Sequence, residues 1–126
     1  MKRVITSVLI VFVLIICCFI SYGYINSTTN KLCEHISNIY TDINKDDFSS
    51  AQKQVDKLYK HWSDYSPALS SLCRHNEIDD IERLFQRATQ AVINEDKNEA
   101  LIQFKELNMM LSHLPEMERP SLSNLL

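Results

Sequence analysis

The sequence predicts an all-α protein in which an N-terminal transmembrane helix is followed by an antiparallel helical bundle of two αα-hairpins. Three observations carry this prediction. No charged residue occurs between Val4 and Asn30, apolar residues in the rest of the chain recur at alternating spacings of three and four, and the 126 residues include only one glycine and three prolines. The spacing is typical of amphipathic helices. Sheet proteins and phosphate-binding loops need more turn residues or glycines than this.

The first element is the apolar run from Val4 to Ile20. A helix of about 20 such residues crosses a hydrocarbon core of about 30 Å. Lys2 and Arg3 precede the run, and positive flanks stay in the cytoplasm. We therefore expect a single-pass plasma-membrane protein with a cytoplasmic N-terminus and an extracytoplasmic domain. The residues assigned to the anchor are Val4, Leu9, Phe12, Ile16, Ile20, Tyr22 and Tyr24.

A cleaved signal peptide is the alternative reading of this run. Ser21 and Gly23 would be the small residues at positions −3 and −1 of a cut after Gly23. The hydrophobic stretch exceeds the ~7–15 residues of a signal core, so the retained anchor is favoured and cleavage stays open. A lipoprotein signal is disfavoured because Ile16 precedes Cys17. The predicted organisation is an anchor over residues 1–24, a bundle over 25–114 and a tail over 115–126.

Four apolar stripes follow the anchor, and each predicts one core-facing helix. The connections "INKDD" (Ile43 to Asp47) and "INEDKN" (Ile93 to Asn98) are short and rich in Asn and Asp, so the helices they join should be antiparallel. A faint repeat with a shift of 49 residues relates the second stripe to the fourth. The stripes are Leu32, Ile36, Ile39 and Ile43; Phe48, Ala51, Val55, Leu58, Trp62, Tyr65, Leu69 and Leu72; Ile78, Ile81, Leu84, Phe85, Ala88, Ala91 and Val92; and Ala100, Phe104, Leu107, Leu111 and Leu114.

Prolines complicate two of these helices. Pro67 lies within the second stripe, so helix two either kinks there or ends near Asp64 and restarts. The kink is favoured because the apolar register continues past the proline. Pro115 predicts that helix four stops near Leu114, and the leucines of the tail either pack on the bundle or stay loose.

The polar residues at the start of helix three are explained by helix capping and by favourable charge placement. We expect Asn76 to cap this helix, with Asp79 as the capping-box partner. Glu77, Asp79 and Asp80 would then occupy the first turn, where the helix dipole favours negative charge. Asp79 also precedes Arg83 by four residues, a spacing that suits an ion pair.

A Leu-Cys-x-His tetrapeptide occurs twice, at Leu32 to His35 and at Leu72 to His75. Two cysteines and two histidines are a common zinc ligand set, and Cys73, His75 and His113 should lie at the membrane-proximal end. Positions two apart on a helix point about 200° apart, however. We therefore expect no metal and no other cofactor, with these three residues as the candidates should a metal bind.

A Cys33–Cys73 disulfide is an alternative to free thiols, since an extracytoplasmic domain faces an oxidising compartment. If helices one and two run antiparallel from the turn at residues 43–47, Cys33 lies level with Lys57. Cys73 is 16 residues further along helix two, which is roughly 24 Å at ~1.5 Å per residue. A disulfide spans only about 7 Å between Cα atoms. The bridge is disfavoured but stays open, because a bend at Pro67 would shorten this distance.

The C-terminal half contains a His-x-Glu-Ile-Asp-x-Ile-Glu segment, an Asp-Lys-x-Glu-Ala-Leu segment and a His-x-Pro-Glu-x-Glu-Arg-x-Ser-Leu segment. Together with a tryptophan and the anchor, these segments resemble DUF4363, a clostridial family of unknown function. It implies a small membrane-anchored helical protein of a Gram-positive, Clostridium-like bacterium, and it brings no known activity. Pro67 departs from the family pattern. The matching residues include Trp62, His75, Glu77, Asp79, Glu82, Asp96, Lys97, His113, Glu116 and Arg119.

The function expected from these observations is a non-enzymatic interaction or accessory module for another membrane or envelope protein. Residues 31–126 carry 11 Lys and Arg against 16 Asp and Glu, and nucleic-acid binding needs clustered basic residues. The alternative is a metal-binding or enzymatic domain that uses Cys73, His75, Glu77 and His113. The possible docking residues within the family segments are His75, Glu77, Asp79, Glu82, His113, Glu116 and Arg119.

Overall fold

The computed structural model describes residues 1–117. This part of the chain forms four α-helices and contains no strand, which confirms the predicted all-α fold. Arg119 and the leucines of the tail lie outside the described residues. The helices are α1 (Lys2–Asn44), α2 (Phe48–Leu72), α3 (His75–Ile93) and α4 (Lys97–Met117).

The helices form a closed four-membered bundle. α1 packs against α2 and α4, and α3 packs against the same two helices, so each helix has two neighbours. Connections of two or three residues make sequential helices antiparallel. The two predicted hairpins therefore join side by side, and α4 returns along α1.

The core consists of the predicted apolar stripes. Nearly all of their members are buried, and Trp62, Phe85 and Phe104 are the largest fully buried side chains. Leu72 alone among the stripe residues is exposed. The core also begins two turns earlier in α1 than the first stripe, at Ile25, with Thr29 buried as well. The Thr29 hydroxyl is satisfied locally because it donates to the Ile25 carbonyl oxygen at 2.9 Å.

α1 is one unbroken helix that runs from the apolar N-terminal segment into the bundle. Its first 20 residues pack against nothing, and their apolar side chains are exposed. Among the described residues, α1 is the helix that is long and apolar enough to cross a membrane. Gly23, the single glycine, lies within this helix where an added Cβ would meet no other atom within 4 Å, so packing does not require a glycine there.

The two turns at the far end of the bundle have the same geometry. Asp46 and Glu95 occupy corresponding positions 49 residues apart, and both have positive φ angles, 58° and 53°. The backbone N–H of each of these residues, and that of the residue after it, donates a hydrogen bond to a carbonyl oxygen in the last turn of the preceding helix. This is the hydrogen-bond pattern of a Schellman motif. Asp47 and Asp96 then cap the next helix, each accepting the backbone N–H three residues further on, at 3.0 and 3.1 Å. The faint repeat in the sequence is thus a repeat of turn geometry.

Both interior prolines lie within helices. α2 continues through Pro67 to Leu72, so it does not end near Asp64. α4 continues through Pro115 to Met117, which makes the predicted stop at Leu114 wrong by three residues. Pro115 is buried inside α4 and does not end the helix.

The predicted cap of α3 is also wrong. The helix begins at His75 with Arg74 in the N-cap position, and the Arg74 side chain makes no capping hydrogen bond. Asn76 therefore lies inside the first turn, where its side chain cannot take the N-cap role, and the capping box with Asp79 does not form. Arg83 pairs with Asp80 at 3.0 Å rather than with Asp79.

Candidate functional site

Glu82, one of the family-segment residues, joins α3 to α2. One carboxylate oxygen accepts the indole N–H of Trp62 and the other accepts the Tyr59 hydroxyl, both at 2.7 Å. Trp62 is 1% exposed and also packs on Phe85, with ring centroids 5.4 Å apart. The hydrogen bond to Glu82, burial and the negative charge of Glu82 raise the pKa of Tyr59 above its usual 10.0. Glu82 therefore satisfies a buried donor and holds the aromatic cluster in place.

His113 and Glu116 form a hydrogen-bonding contact on the last turns of α4. The His113 Nδ1 lies 3.0 Å from a Glu116 carboxylate oxygen, and both side chains are more than half exposed. His75 and Glu77 begin α3 at the same, anchor-proximal end of the bundle, and Glu77 Oε2 is buried without a hydrogen-bond partner among the described residues.

The cysteine and histidine candidates do not converge. Within residues 1–117, no group of three or more His, Cys, Asp or Glu side chains is arranged to hold a metal ion. Cys33 and Cys73 form no disulfide with each other. The Cys33 thiol instead points at α4, where it lies 3.9 Å from the carbonyl oxygen of Asn108, and burial raises its pKa.

A histidine pair on α1 and α2 was not predicted from the sequence. The rings of His35 and His61 stack with centroids 5.0 Å apart and an interplanar angle of 22°. They line a small cleft of about 180 Å³ together with Lys31, Glu34 and Tyr65. His35 belongs to the first Leu-Cys-x-His tetrapeptide, but its neighbour His61 belongs to neither tetrapeptide. Only the register of α2 against α1 brings the two together.

Two further contacts hold α1 to its neighbours. The Tyr40 hydroxyl donates to the Leu101 carbonyl oxygen on α4 at 2.6 Å. At the far end, the Lys97 ammonium group donates to the Asn44 carbonyl oxygen at 3.1 Å and to the Asp46 carboxylate at 3.0 Å. Lys97 is a family-segment residue, and its role here is to tie the two repeated turns together.

The anchor residues occupy the unpacked part of α1. Val4, Leu9, Phe12, Ile16 and Ile20 are exposed along the apolar run. Tyr22 is half-buried and Tyr24 is exposed, one turn or less before the core begins at Ile25. The apolar N-terminal segment therefore leads directly into the packed bundle.

Comparison with known proteins gives one family. No curated protein and no solved structure matches the chain. A family model described as "Domain of unknown function (DUF4363)" matches residues 19–125, which include every helix of the bundle and the end of the apolar run. The chain therefore belongs to the DUF4363 family.

Proposed function

We propose that this chain is a single-pass plasma-membrane protein of a Gram-positive bacterium whose extracytoplasmic bundle is a non-enzymatic interaction module for another membrane or envelope protein. The observation that carries the proposal is α1, whose exposed apolar segment continues without a break into a packed bundle. A helix of this kind holds the bundle at a membrane surface.

A non-enzymatic role is supported by what the polar family residues do. Glu82 holds Trp62 and Tyr59, and Lys97 joins the two distal turns. The polar groups of Glu82 and Lys97 form hydrogen bonds between different parts of the bundle. Stabilisation of the fold is therefore a sufficient explanation for these two residues, and no catalytic role is needed.

Orientation is tested by fusing a reporter that fluoresces only in the cytoplasm to either end of the chain in a bacterial host. Lys2 and Arg3 predict that the N-terminal fusion is bright and that a fusion after Leu126 is dark. A bright C-terminal fusion would contradict the proposed orientation.

Retention of the anchor is tested by an N-terminal epitope tag followed through membrane fractionation. The tag should remain on the full-length chain in the membrane fraction. A variant with Ser21→Leu and Gly23→Leu, which lacks the small residues that signal peptidase requires, gives the size of the uncleaved chain. Loss of the tag from the unmodified chain but not from this variant would show that the segment is a signal peptide.

The proposed docking face lies on the outer surface of α4. Ile102 and Met109 are 58% and 51% exposed, and they lie two turns apart on one side of the helix. A photo-crosslinking amino acid at either position in cells should capture a defined membrane or envelope protein. The same amino acid at Arg87, an exposed position on α3, is the matched control and should not capture it. Equal capture at all three positions, or no defined product at Ile102 and Met109, would refute this docking face.

A further inference from the structure

The continuous α1 helix fixes how high the bundle sits above a membrane. Ile25, the first buried residue of the core, follows Ile20, the end of the apolar run, by five positions. At ~1.5 Å per residue this is about 7.5 Å. The headgroup layer on one side of a bilayer is itself about 5–8 Å thick. The packed bundle therefore begins where the headgroup layer ends, and no linker lies between them.

The end of α2 reaches this level. The stacking of His35 on His61 sets the register of the two antiparallel helices. Tyr24 lies 11 positions from His35 toward the anchor, and Leu72 lies 11 positions from His61 in the same direction. Because both helices rise equally per residue, Leu72 lies within about one turn of the height of Tyr24. Leu72 is 37% exposed, although it continues an apolar stripe whose other members are at least partly buried. Its apolar surface is thus turned away from the core at the end of the bundle nearest the anchor.

The end of α4 reaches the same level. The contact between Cys33 and Asn108 sets the register of α4 against α1. Equal rise along both helices then places Met117 at the same height along the bundle as Tyr24. Met117 is 47% exposed.

These side chains have the chemistry of a lipid interface. Tyr24, Leu72 and Met117 combine an aromatic ring with apolar side chains, and Arg74 is exposed in the turn that follows Leu72. Amphipathic rings favour the headgroup region, and an arginine there can approach lipid phosphates. The three apolar side chains come from three different helices, so together they form a surface at the end of the bundle rather than a stripe on its side.

We propose that this surface, formed by Tyr24, Leu72, Arg74 and Met117, rests in the outer headgroup layer of the phospholipid bilayer as a second lipid contact beside the anchor. The inference rests on the proposed membrane anchoring by α1. It makes the bundle a rigid continuation of the anchor with a fixed height. Its distal turns stand about 35–40 Å above the hydrocarbon edge at ~1.5 Å per residue of α1.

The test uses the full chain reconstituted in vesicles of phosphatidylethanolamine and phosphatidylglycerol. A small environment-sensitive fluorescent amino acid replaces Leu72, Met117, Ile93 or Phe12, one position in each variant. All four positions are exposed, so the replacement leaves the core intact. Quenching is measured with phospholipids that carry a nitroxide either on the headgroup or in the acyl chain. Ile93 is the matched control because it is an exposed apolar residue at the opposite end of the bundle, about 30 Å away along the helices.

The expected result is several-fold stronger headgroup quenching at Leu72 and Met117 than at Ile93, with acyl-chain quenching at Phe12. Equal headgroup quenching at Leu72, Met117 and Ile93, together with quenching at Phe12, would overturn the second lipid contact and leave the anchor intact. Absence of acyl-chain quenching at Phe12 would overturn the proposed anchor and the inference with it.

Discussion

The Glu82 carboxylate should be among the most important polar groups for the stability of the bundle. It accepts a hydrogen bond from Trp62, which is 1% exposed, and another from Tyr59. Glu82→Ala would leave the indole N–H of Trp62 buried without an acceptor, which costs about 1–3 kcal/mol, and would remove a hydrogen bond to a charged group. We expect the free energy of unfolding to fall by about 2–4 kcal/mol.

The assay is thermal unfolding of the full chain in a mild detergent, followed by far-ultraviolet circular dichroism and by the fluorescence of Trp62, the only tryptophan. For a domain of about this size, each kcal/mol shifts Tm by about 4–8 °C, so a decrease of about 8–32 °C is expected. Asp80→Ala is the matched control on the same helix. It removes a carboxylate that pairs with Arg83 at an exposed position, where a salt bridge contributes about 0–1 kcal/mol.

A double-mutant cycle separates the hydrogen bond from the packing of the indole ring. Trp62→Phe loses packing volume as well as the donor, but that loss occurs both with and without Glu82 and cancels in the cycle. A coupling free energy of about 1–3 kcal/mol between Glu82→Ala and Trp62→Phe is expected. Additive effects, together with a loss in Glu82→Ala no larger than in Asp80→Ala, would refute the role assigned to Glu82.

Three other predictions follow from the turns and from Tyr59. Glu95→Gly should raise the free energy of unfolding by about 1 kcal/mol because it relieves the positive φ angle, whereas Glu95→Ala should give no such gain; chemical unfolding of both variants checks this. Asp47→Ala should lower the free energy of unfolding by about 1 kcal/mol because the N-cap of α2 is lost. An unchanged Tm would contradict the assignment of Asp47 as this cap. The Tyr59 pKa is raised by the Glu82 hydrogen bond, by burial and by the charge of Glu82, so the neutral phenol stabilises the fold below pH 10.0 and this contribution is lost as pH rises through the higher folded pKa. Tyr59→Phe should abolish that alkaline loss in Tm measured against pH, and a parallel loss in the variant would refute the assignment.

The sequence by itself determined the helices and most of the core. Positions such as Val55, Phe85 and Leu107 follow from spacing alone, because residues three and four apart share one face of a helix and that face must be buried. The short Asn- and Asp-containing breaks determined the turns for a similar reason, since local side chains supply the caps. The apolar run is equally local, because length and composition suffice to define it.

Only the tertiary structure decided how these helices meet. Asn76 is a good capping residue, but the chain enters α3 with Arg74 in the N-cap position, two residues after α2 ends at Leu72. The stacking of His35 on His61 and the bonds of Glu82 join residues more than 19 positions apart, and their pairing depends on the rotation and register of whole helices. The return of α4 along α1, and the absence of a linker before Ile25, have the same origin. A one-dimensional pattern specifies which face of each helix is buried, whereas the side chains that interlock between helices specify which neighbour covers it and at what height.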